Sequence, residues 1–300
     1  MLKIAWAPEF VLPLPEGHRF PMLKYELLPQ QLIHEGTIIE HQLFTPDRKF
    51  DAEISFTHAQ HYLERLQQLQ LTPSEIRKSG FPLTPELIER EWLLANGTIE
   101  AALFALDFGA AGTTAGGTHH AFADRAEGFC LLNDVAIAAN HLLLHQLAQR
   151  ILVIDLDVHQ GNGTAALFAN DERVFTFSMH GEKNYPLHKE SSDLDIGLPE
   201  GTDDRLYLYH LKHQLPQVID AFIPDFVFYQ AGVDILQTDL LGRLKISREG
   251  CAERDRFVLQ LCKNHCIPIV ITMGGGYSKN IRDIVESHAN TYRICQQIFF

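Results

Sequence analysis

Short apolar segments alternate along this chain with longer amphipathic ones, and this alternation constrains the fold more than any other feature of the sequence. The segment ILVIDLDV at 151–158 is the densest, and others lie at 173–179, 225–231 and 268–273. Strands that are apolar throughout are typical of parallel sheets covered by helices on both faces. We therefore predict an α/β fold in three αβα layers with a mainly parallel central sheet.

Helix signals fall between these strands. Thr84, Pro85 and Glu86 give an N-cap, a first-turn proline and an acidic residue in that order, which predicts a helix towards Leu106. Further helices are predicted over 133–148, about 203–222, 247–266 and from about Lys279 onward. The opening residues predict a first strand, and residues 40–85 predict helices and turns that decorate the sheet. With no linker or repeat in the sequence, we expect one domain over residues 1–300.

Composition narrows the class of function. Hydrophobic residues make up 46% of the chain, which excludes a disordered protein. The chain has 38 acidic and 25 basic residues, a net charge of −13, which argues against a nucleic-acid-binding protein and is compatible with a cationic substrate. No apolar stretch approaches the roughly 18 residues of a membrane span, and the N-terminus has no signal-peptide pattern.

The cysteines favour a reducing compartment. Five cysteines, an odd number without a framework spacing, predict free thiols and a cytoplasmic protein. Cys262 and Cys266 are four residues apart and have the spacing of a metal-ligand pair. They lie in a predicted apolar helix, however, and we expect both to be buried in the core.

Polar residues collect where the strands end, which is where parallel α/β sheets bind ligands. Asp155, Asp157 and His159 alternate along one strand end, so their side chains point to one side. An apolar strand does not bury two carboxylates together without a cation to offset them. Asp157 and His159, with Asp234 after the strand at 225–231, therefore predict three zinc ligands and a fourth position open to water. The alternative is an Asp-rich turn that caps the next helix.

Two further groups of residues predict acid–base chemistry. His119 and His120 are adjacent, and Asp155 and Asn162 are candidate acceptors for their ring N–H groups; a carboxylate raises histidine basicity more than an amide does, so the two rings would titrate apart. The alternative is a pair of surface loop histidines. Tyr277 follows three glycines and is predicted to donate a hydrogen bond to an oxyanion. A phosphate-binding turn is the alternative there, but the residues of a P-loop do not follow.

Five motifs, in family order, resemble the histone deacetylase family with its bacterial and acetylpolyamine-hydrolysing relatives. They are Gly-Gly-Thr-His119-His120-Ala, Gly128-Phe129-Cys130-x-x-Asn133-Asp134, Asp155-x-Asp157-x-His159-x-Gly-Asn162-Gly, Ala231-Gly232-Val233-Asp234 and Gly274-Gly275-Gly276-Tyr277. The early segment from His18 to Tyr25 is similar to a shorter, class IV-like branch, and His18 is a further candidate near the pocket.

The resemblance implies an arginase-like fold and metal-dependent hydrolysis of an acyl-lysine, such as acetyl-lysine, in proteins or peptides. It implies Zn²⁺, with Fe²⁺ as an alternative, on Asp157, His159 and Asp234. It implies His120 as general base and acid and Tyr277 as oxyanion donor. His119 with Asp155, and Asn162 beside His120, would assist catalysis.

The resemblance also implies a substrate tunnel and a structural potassium ion. The substrate-binding residues would be Gly128, Phe129, Tyr185 and Gly275. The potassium ligands would be Asp155, Asp157, His159, Ser178 and Met179. Gln160, Asn162 and Tyr185 depart from residues common in relatives, and no acidic residue that would grip a peptide backbone can be placed. These departures leave the acyl-chain preference open.

Three alternatives remain open from the sequence. An acetylpolyamine or other small acyl-amine amidohydrolase would also gain from the net charge of −13. A two-manganese ureohydrolase would share the fold but would need a second aspartate-rich metal cluster. An inactive acyl-lysine binding module would show gaps among the metal ligands or at the tyrosine, and the sequence has none. The oligomeric state is not predicted.

Overall fold

The computed structural model describes residues 1–300, and an eight-stranded sheet forms its centre. The strands are β1 (Lys3–Ala5), β2 (Leu43–Phe44), β3 (Ala110–Thr113), β4 (Ile151–Asp155), β5 (Val174–Gly181), β6 (Leu194–Leu198), β7 (Phe226–Gln230) and β8 (Ile269–Thr272). The helices are α1 (Lys24–His34), α2 (Gln60–Gln67), α3 (Pro73–Ser79), α4 (Pro85–Phe108), α5 (Asp134–Leu144), α6 (Asn162–Phe168), α7 (Asp204–Phe222), α8 (Arg248–Asn264) and α9 (Ile281–Phe299). Short 3-10 helices cover Pro8–Phe10, Glu40–Gln42 and Asp51–Phe56.

Every strand pair in the sheet is parallel, in the order β2-β1-β3-β8-β7-β4-β5-β6. The register places Asp155, the last residue of β4, beside Gln230 of β7 and Ser178 of β5. Parallel strands end at one edge, so the loops that follow β3, β4, β7 and β8 meet there. The predicted parallel sheet is confirmed.

Alternate residues of the central strands face two separate cores. On β4, Leu152 and Ile154 pack with residues of α1, α7, α8 and α9, whereas Ile151 and Val153 pack with residues of α4 and α5. Both faces of the sheet are therefore covered by helices, because the side chains of a strand point alternately to its two sides. The three-layer αβα fold is confirmed.

The strand predicted over 151–158 is shorter than expected, because β4 ends at Asp155. The Asp155 carboxylate accepts the backbone N–H of Asp157 at 3.1 Å, and this local hydrogen bond replaces the ladder and turns the chain. Asp157 and His159 therefore lie on a loop rather than on a strand. The sequence prediction missed β2, β3 and β6, and the missed strand β3 has the sequence AAGT, which lacks the β-branched run of a typical strand.

Residues 40–85 do more than decorate the sheet. Leu43–Phe44 forms its edge strand β2, and the end of α3 supports the loop around Phe129, whose backbone N–H donates to the Ser79 carbonyl at 2.8 Å. No helix in the structure is long and apolar enough to cross a membrane.

All five cysteines are free thiols. Cys262 is buried, but the expectation that Cys266 shares the core was wrong: it is exposed. The reason is that α8 ends at Asn264, and Cys266 has a positive φ of 56° in the turn that follows.

Candidate metal centre and catalytic site

The predicted site residues converge at the carboxyl edge of the sheet. The loop after β3 carries His119 and His120, the loop after β4 carries Asp157, the loop after β7 carries Asp234, and the loop after β8 carries Tyr277. Both histidines and both carboxylates are buried, and Tyr277 is half-buried. Residues that are far apart in the sequence therefore surround one small volume.

Asp157, His159 and Asp234 form a group whose potential ligand atoms all lie within 4.8 Å of one another. The Nδ1 atom of His159 is 3.1 Å from Asp157 Oδ1 and 3.0 Å from Asp234 Oδ2. Two carboxylates and one imidazole are a donor set that Zn²⁺ accepts, and a three-residue set leaves a coordination position open.

Backbone N–H groups hold the outer oxygens of both carboxylates. Gly275 donates to Asp157 Oδ2 at 2.7 Å, and Val158 donates to Asp234 Oδ1 at 2.9 Å. A Cβ atom at Gly275 would collide with the Asp234 carboxylate, so only glycine permits this close approach. The remaining oxygens are left to face His159.

Without a metal ion, the His159 ring is the only cation among these three side chains: burial disfavours its charge, but the Asp157 and Asp234 carboxylates outweigh burial and raise its pKa to about 10. Burial, and then the charge of Asp157, raise the pKa of Asp234 to about 7. Burial also opposes ionisation of Asp157, but the positive charge of His119 and the hydrogen bond from His159 hold its pKa well below the usual range. A divalent cation would offset the repulsion between these buried carboxylates, so the residues fit a metal ion.

The two adjacent histidines have different partners. His119 Nδ1 is 2.7 Å from Asp155 Oδ2, and His120 Nδ1 is 2.7 Å from Asn162 Oδ1. The Asn162 amide nitrogen donates to Glu127 at 3.0 Å, so the amide oxygen faces His120 and accepts its Nδ1–H. The Nε2 atom of His120 is then left with a free lone pair.

The surroundings also separate the basicities of these rings, whose centroids are 4.1 Å apart. Burial disfavours the imidazolium of His119, but the Asp155 and Asp157 carboxylates outweigh it and raise its pKa to about 9. Burial, together with the charges of His119 and His159, lowers the pKa of His120 well below its usual value. A neutral His120 beside a charged His119 can accept a proton.

Tyr277 presents a free hydroxyl group to the same cavity. Its backbone N–H donates to Asp239 Oδ2 at 2.6 Å, which fixes the loop after β8, while its hydroxyl group has no hydrogen-bond partner within residues 1–300. Burial raises the pKa of Tyr277 well above its usual value, so the hydroxyl group keeps its proton and can donate a hydrogen bond.

A cavity of about 600 Å³ leads from the surface to these residues. Gly128, Phe129 and Tyr185 line it, and Gly275 lies in a smaller cavity beneath, of about 30 Å³. Gly128 has φ of +53°, and a Cβ atom there would lie 2.6 Å from the His120 ring. The floor of the larger cavity consists of His120, His159 and Tyr277. A narrow chain could therefore reach the candidate catalytic groups from outside.

The other predicted residues have definite positions. Ser178 pairs with Asp155 between β4 and β5, and Met179 follows it, so three of the five residues expected to bind potassium are neighbours in the sheet, whereas Asp157 and His159 lie on the loop after β4. His18, in contrast, does not line the cavity. Its Nε2 is 2.9 Å from the carbonyl oxygen of Gly80 and its Nδ1 accepts the Phe20 N–H, which gives it a structural position.

The sequence analysis missed a buried arginine that holds the loops of the candidate metal ligands. Arg254 on α8 is fully buried and donates to the carbonyl oxygens of Gly232 at 2.5 Å and Leu156 at 3.3 Å. Each carbonyl lies close in the chain to a carboxylate of the metal group. Asp255 balances its charge at 2.7 Å. The burial of Arg254 and Asp255 is the feature that indicates this supporting role. The sequence of a helix does not show which of its charged residues are buried.

The loop that carries the two histidines has supports of its own. Asp134, at the start of α5, accepts the backbone N–H groups of Gly117 at 3.0 Å and Thr118 at 2.7 Å. Gln230 donates to the Gly117 carbonyl at 2.7 Å. Asp134 belongs to one of the five motifs, but its position in that motif did not predict its hydrogen bonds to the backbone of the histidine loop.

Comparisons with known proteins agree on one family. A sequence model of the Histone deacetylase domain matches residues 18–292. The chain is 30% identical over 286 residues to Histone deacetylase 2 of Arabidopsis thaliana, covering 92% of this chain and 74% of the relative. It is 44% identical over 296 residues to an uncharacterized protein of Picosynechococcus, covering 99% of both.

Solved structures share the fold. A crystal structure of an HDAC homolog complexed with SAHA has a TM-score of 0.85 at 23% identity and covers 99% of this chain and 84% of that one. An HDAC homolog from Aquifex aeolicus has a TM-score of 0.83 at 24% identity, covering 98% and 84%. At these identities the likeness establishes the fold alone.

Proposed function

The chain belongs to the histone deacetylase family, and from this premise we propose that it hydrolyses the amide bond of acyl-lysine in peptides or proteins. Family membership supports a deacetylase or amidohydrolase activity. The observation that carries the finer proposal is the group of Asp157, His159 and Asp234 beside the floor of a cavity that also exposes His120 and Tyr277.

Asp157, His159 and Asp234 would hold Zn²⁺, or Fe²⁺, in this proposal. When bound, the ion would polarise the acyl carbonyl as a Lewis acid. It would also lower the pKa of water, so that a base can deprotonate the water for attack near neutral pH. Burial of all three side chains keeps bulk water from competing for the donors. We further propose that Asp155, Asp157, His159, Ser178 and Met179 hold a structural K⁺.

His120 acts as the general base and then as the general acid. Its Nδ1–H is engaged by Asn162, so its Nε2 accepts the proton of the attacking water and returns it to the leaving amine. His119, hydrogen-bonded to Asp155, places positive charge beside this exchange. Tyr277 donates a hydrogen bond from its hydroxyl group to the oxyanion that develops on the acyl oxygen, and its hydroxyl is suited to this because it has no other partner.

Phe129 and Tyr185 would guide the aliphatic stem of the substrate. Both line the cavity of about 600 Å³, and Gly128 between them and His120 keeps the path open. Gly275, which lines the smaller cavity below, would also contact the substrate.

Two of the alternatives are less well supported. Within residues 1–300 there are two groups of three or more potential metal ligands, and the second, Glu53, His141 and His145, shares no residue with the first. A two-manganese ureohydrolase would need both ions together. An inactive binding module is also disfavoured, because His120 and Asn162 retain a hydrogen bond of 2.7 Å, as a working base requires.

Hydrolysis of an acetyl-lysine peptide by the zinc-loaded protein, followed by mass spectrometry, tests the proposal. His120→Ala is expected to lower kcat by about 10²–10⁴-fold, with the metal content unchanged. His213→Ala, at an exposed position on α7, is the matched control. If neither the zinc-loaded nor the iron-loaded protein removes the acyl group from any acyl-lysine peptide, the proposal is wrong.

A further inference from the structure

The mouth of the active-site cavity has the opposite charge to the protein as a whole. Of the 15 residues that line the cavity, five are Lys or Arg and one is acidic, whereas the whole chain has 25 basic and 38 acidic residues. We name the five basic residues the cationic rim: Arg19, Arg77, Lys78, Lys183 and Arg243. All five are exposed.

The cationic rim is largely free to bind a ligand. Within residues 1–300, no carboxylate lies within salt-bridge distance of Arg19, Arg77, Lys78 or Lys183, and Arg243 has one exposed partner at 3.7 Å, Glu200. A surface pair at that distance is weak and exchanges readily. The local field at the mouth is therefore positive, and it does not follow the net charge of the chain.

The one acidic residue that lines the cavity, Glu127, already has hydrogen-bond partners within the protein. Glu127 Oε2 accepts hydrogen bonds from the Asn162 amide at 3.0 Å and from the Tyr185 hydroxyl at 3.1 Å. Its other oxygen lies 3.7 Å from Arg125. Glu127 thus positions Asn162, the hydrogen-bond partner of His120. To neutralise the cationic rim or to bind a cationic substrate, Glu127 would have to give up these contacts.

The cations stand on both sides of the entrance. On the side of Phe129, the Arg19 guanidinium lies 5.1 Å from the Phe129 ring centroid. The backbone carbonyl oxygen of Lys78 accepts the Gly128 N–H at 3.1 Å, which places Lys78 on the same side. On the side of Tyr185, Lys183 is two residues away in the chain, and the loop carrying Arg243 is joined to it through Asn184, which donates to the Leu241 carbonyl at 2.8 Å. Groups that flank an inserted side chain in either direction would meet a positive charge.

From this arrangement we propose that the substrate is an acyl-lysine in an acidic peptide segment, with Asp or Glu on both sides of the modified residue. The proposal rests on the proposed function and gives its substrate class. Carboxylates on both sides of the acyl-lysine would pair with the two halves of the cationic rim. A lysine-rich tail or an acylated polyamine would bring like charges to the same place, which raises the free energy of association.

Three matched peptides test the proposal. Each carries one acetyl-lysine with two aspartates, two serines or two lysines on each side, and acetylputrescine is measured beside them. At low ionic strength the acidic peptide is expected to exceed the lysine peptide about tenfold or more in kcat/KM, and the ratio is expected to shrink in about 0.5 M salt because salt screens exposed charges. An equal or faster rate on the lysine peptide, or on acetylputrescine, would overturn the proposal.

Charge reversal identifies the source of the preference. The double variant Arg19→Glu, Lys183→Glu changes one residue on each side of the mouth and is expected to invert the ratio between the acidic and the lysine peptide. Lys263→Glu reverses an exposed charge at the end of α8, at the opposite edge of the sheet, and is expected to keep the wild-type ratio. An unchanged ratio in the double variant would show that the cationic rim does not select the substrate.

A failure of the proposed function gives a different result. If none of the peptides is hydrolysed, the proposed reaction is wrong. Binding by the cationic rim is then measured separately, by fluorescence anisotropy with labelled versions of the same peptides. Tighter binding of the acidic peptide that the double variant abolishes supports an anionic partner for the rim. Equal binding of all three peptides refutes it.

Discussion

Lys24 donates a hydrogen bond of 3.0 Å from its ammonium group to the carbonyl oxygen of Gly274, 250 positions further along the chain. The side chain is buried, and its Nζ lies 5.5 Å from the ring centroid of Tyr277. Burial lowers the pKa of Lys24 to about 8, and the nearby carboxylates Asp234 and Asp157 oppose this change. Lys24 thus joins the first helix to the loop that carries Tyr277.

Lys24→Met should lower kcat about tenfold while KM and metal content stay close to the wild-type values, because the loop loses a charge-assisted hydrogen bond that places the Tyr277 hydroxyl. Steady-state kinetics and metal analysis measure both. Lys263→Met is the control. A loss of stability with no change in kcat of the folded protein would show that Lys24 is structural only.

Tyr277→Phe should reduce kcat by about 10²–10³-fold, the usual cost of one oxyanion donor. The bound metal should remain, since Tyr277 is not among the three ligand residues. Tyr209→Phe, at an exposed position on α7, should have no effect. Full activity of Tyr277→Phe on acetyl-lysine would remove the oxyanion role.

Asp157→Ala should lose the metal ion, because it removes one of the three donors and leaves Asp234 and His159 without their partner. Metal analysis of the purified protein should fall from about one ion per chain towards zero, whereas Asp220→Asn, on the exposed face of α7, should keep it. Chelated wild-type protein should recover with zinc or ferrous iron. Recovery with manganese alone, at about two ions per chain, would favour ureohydrolase chemistry.

Arg254→Met should destabilise the protein by about 3–5 kcal/mol, because it leaves the Asp255 carboxylate buried and unpaired and frees the carbonyl oxygens of Gly232 and Leu156. Thermal unfolding and zinc affinity report the two effects. Arg256→Met, exposed on the same helix, is the control, and Arg254→Lys should recover part of the loss. Normal zinc affinity in Arg254→Met would show that the loops hold their shape without this residue.

The stability of the protein should fall as the pH drops from about 6.5 to about 4. Burial lowers the pKa of His58 to about 4 in the folded protein, and its Nε2 accepts the backbone N–H of Asn133 at 2.9 Å. The unfolded chain takes up a proton below about pH 6.5 and the folded one does not until about pH 4, so up to about 3 kcal/mol is lost across this window.

His58→Gln, which keeps an acceptor but cannot be protonated, isolates this contribution. Chemical unfolding at pH 7, 5.5 and 4.5 should show a flatter profile in the variant than in the wild type. Parallel profiles in the two proteins would exclude His58 as the source.

Local patterns in the sequence predicted the fold and the members of the candidate site. Apolar strands and capped helices indicate a covered parallel sheet, because burial on both faces demands apolar residues throughout each strand. The same logic placed Asp157 and Asp234 after strands, where parallel strands bring their loops together, but it assigned the loop of His119 and His120 to the end of a helix because β3 was missed. The shape of the loop after β4 was not predictable in this way, because it depends on one side chain, Asp155, accepting the Asp157 N–H.

By itself, then, the sequence determined the layered sheet and the chemistry-bearing residues, whereas the tertiary structure alone decided what supports and surrounds them. Lys24 and Arg254 acquire their roles from contacts across 250 and 22 residues of sequence, and their segments contain no pattern that marks those contacts. The net charge of −13 is compatible with a cationic substrate, yet five basic residues and one acidic residue line the cavity. The physical reason is that an electrostatic field depends on where charges lie, and folding brought Arg19, Lys78 and Lys183 to one entrance.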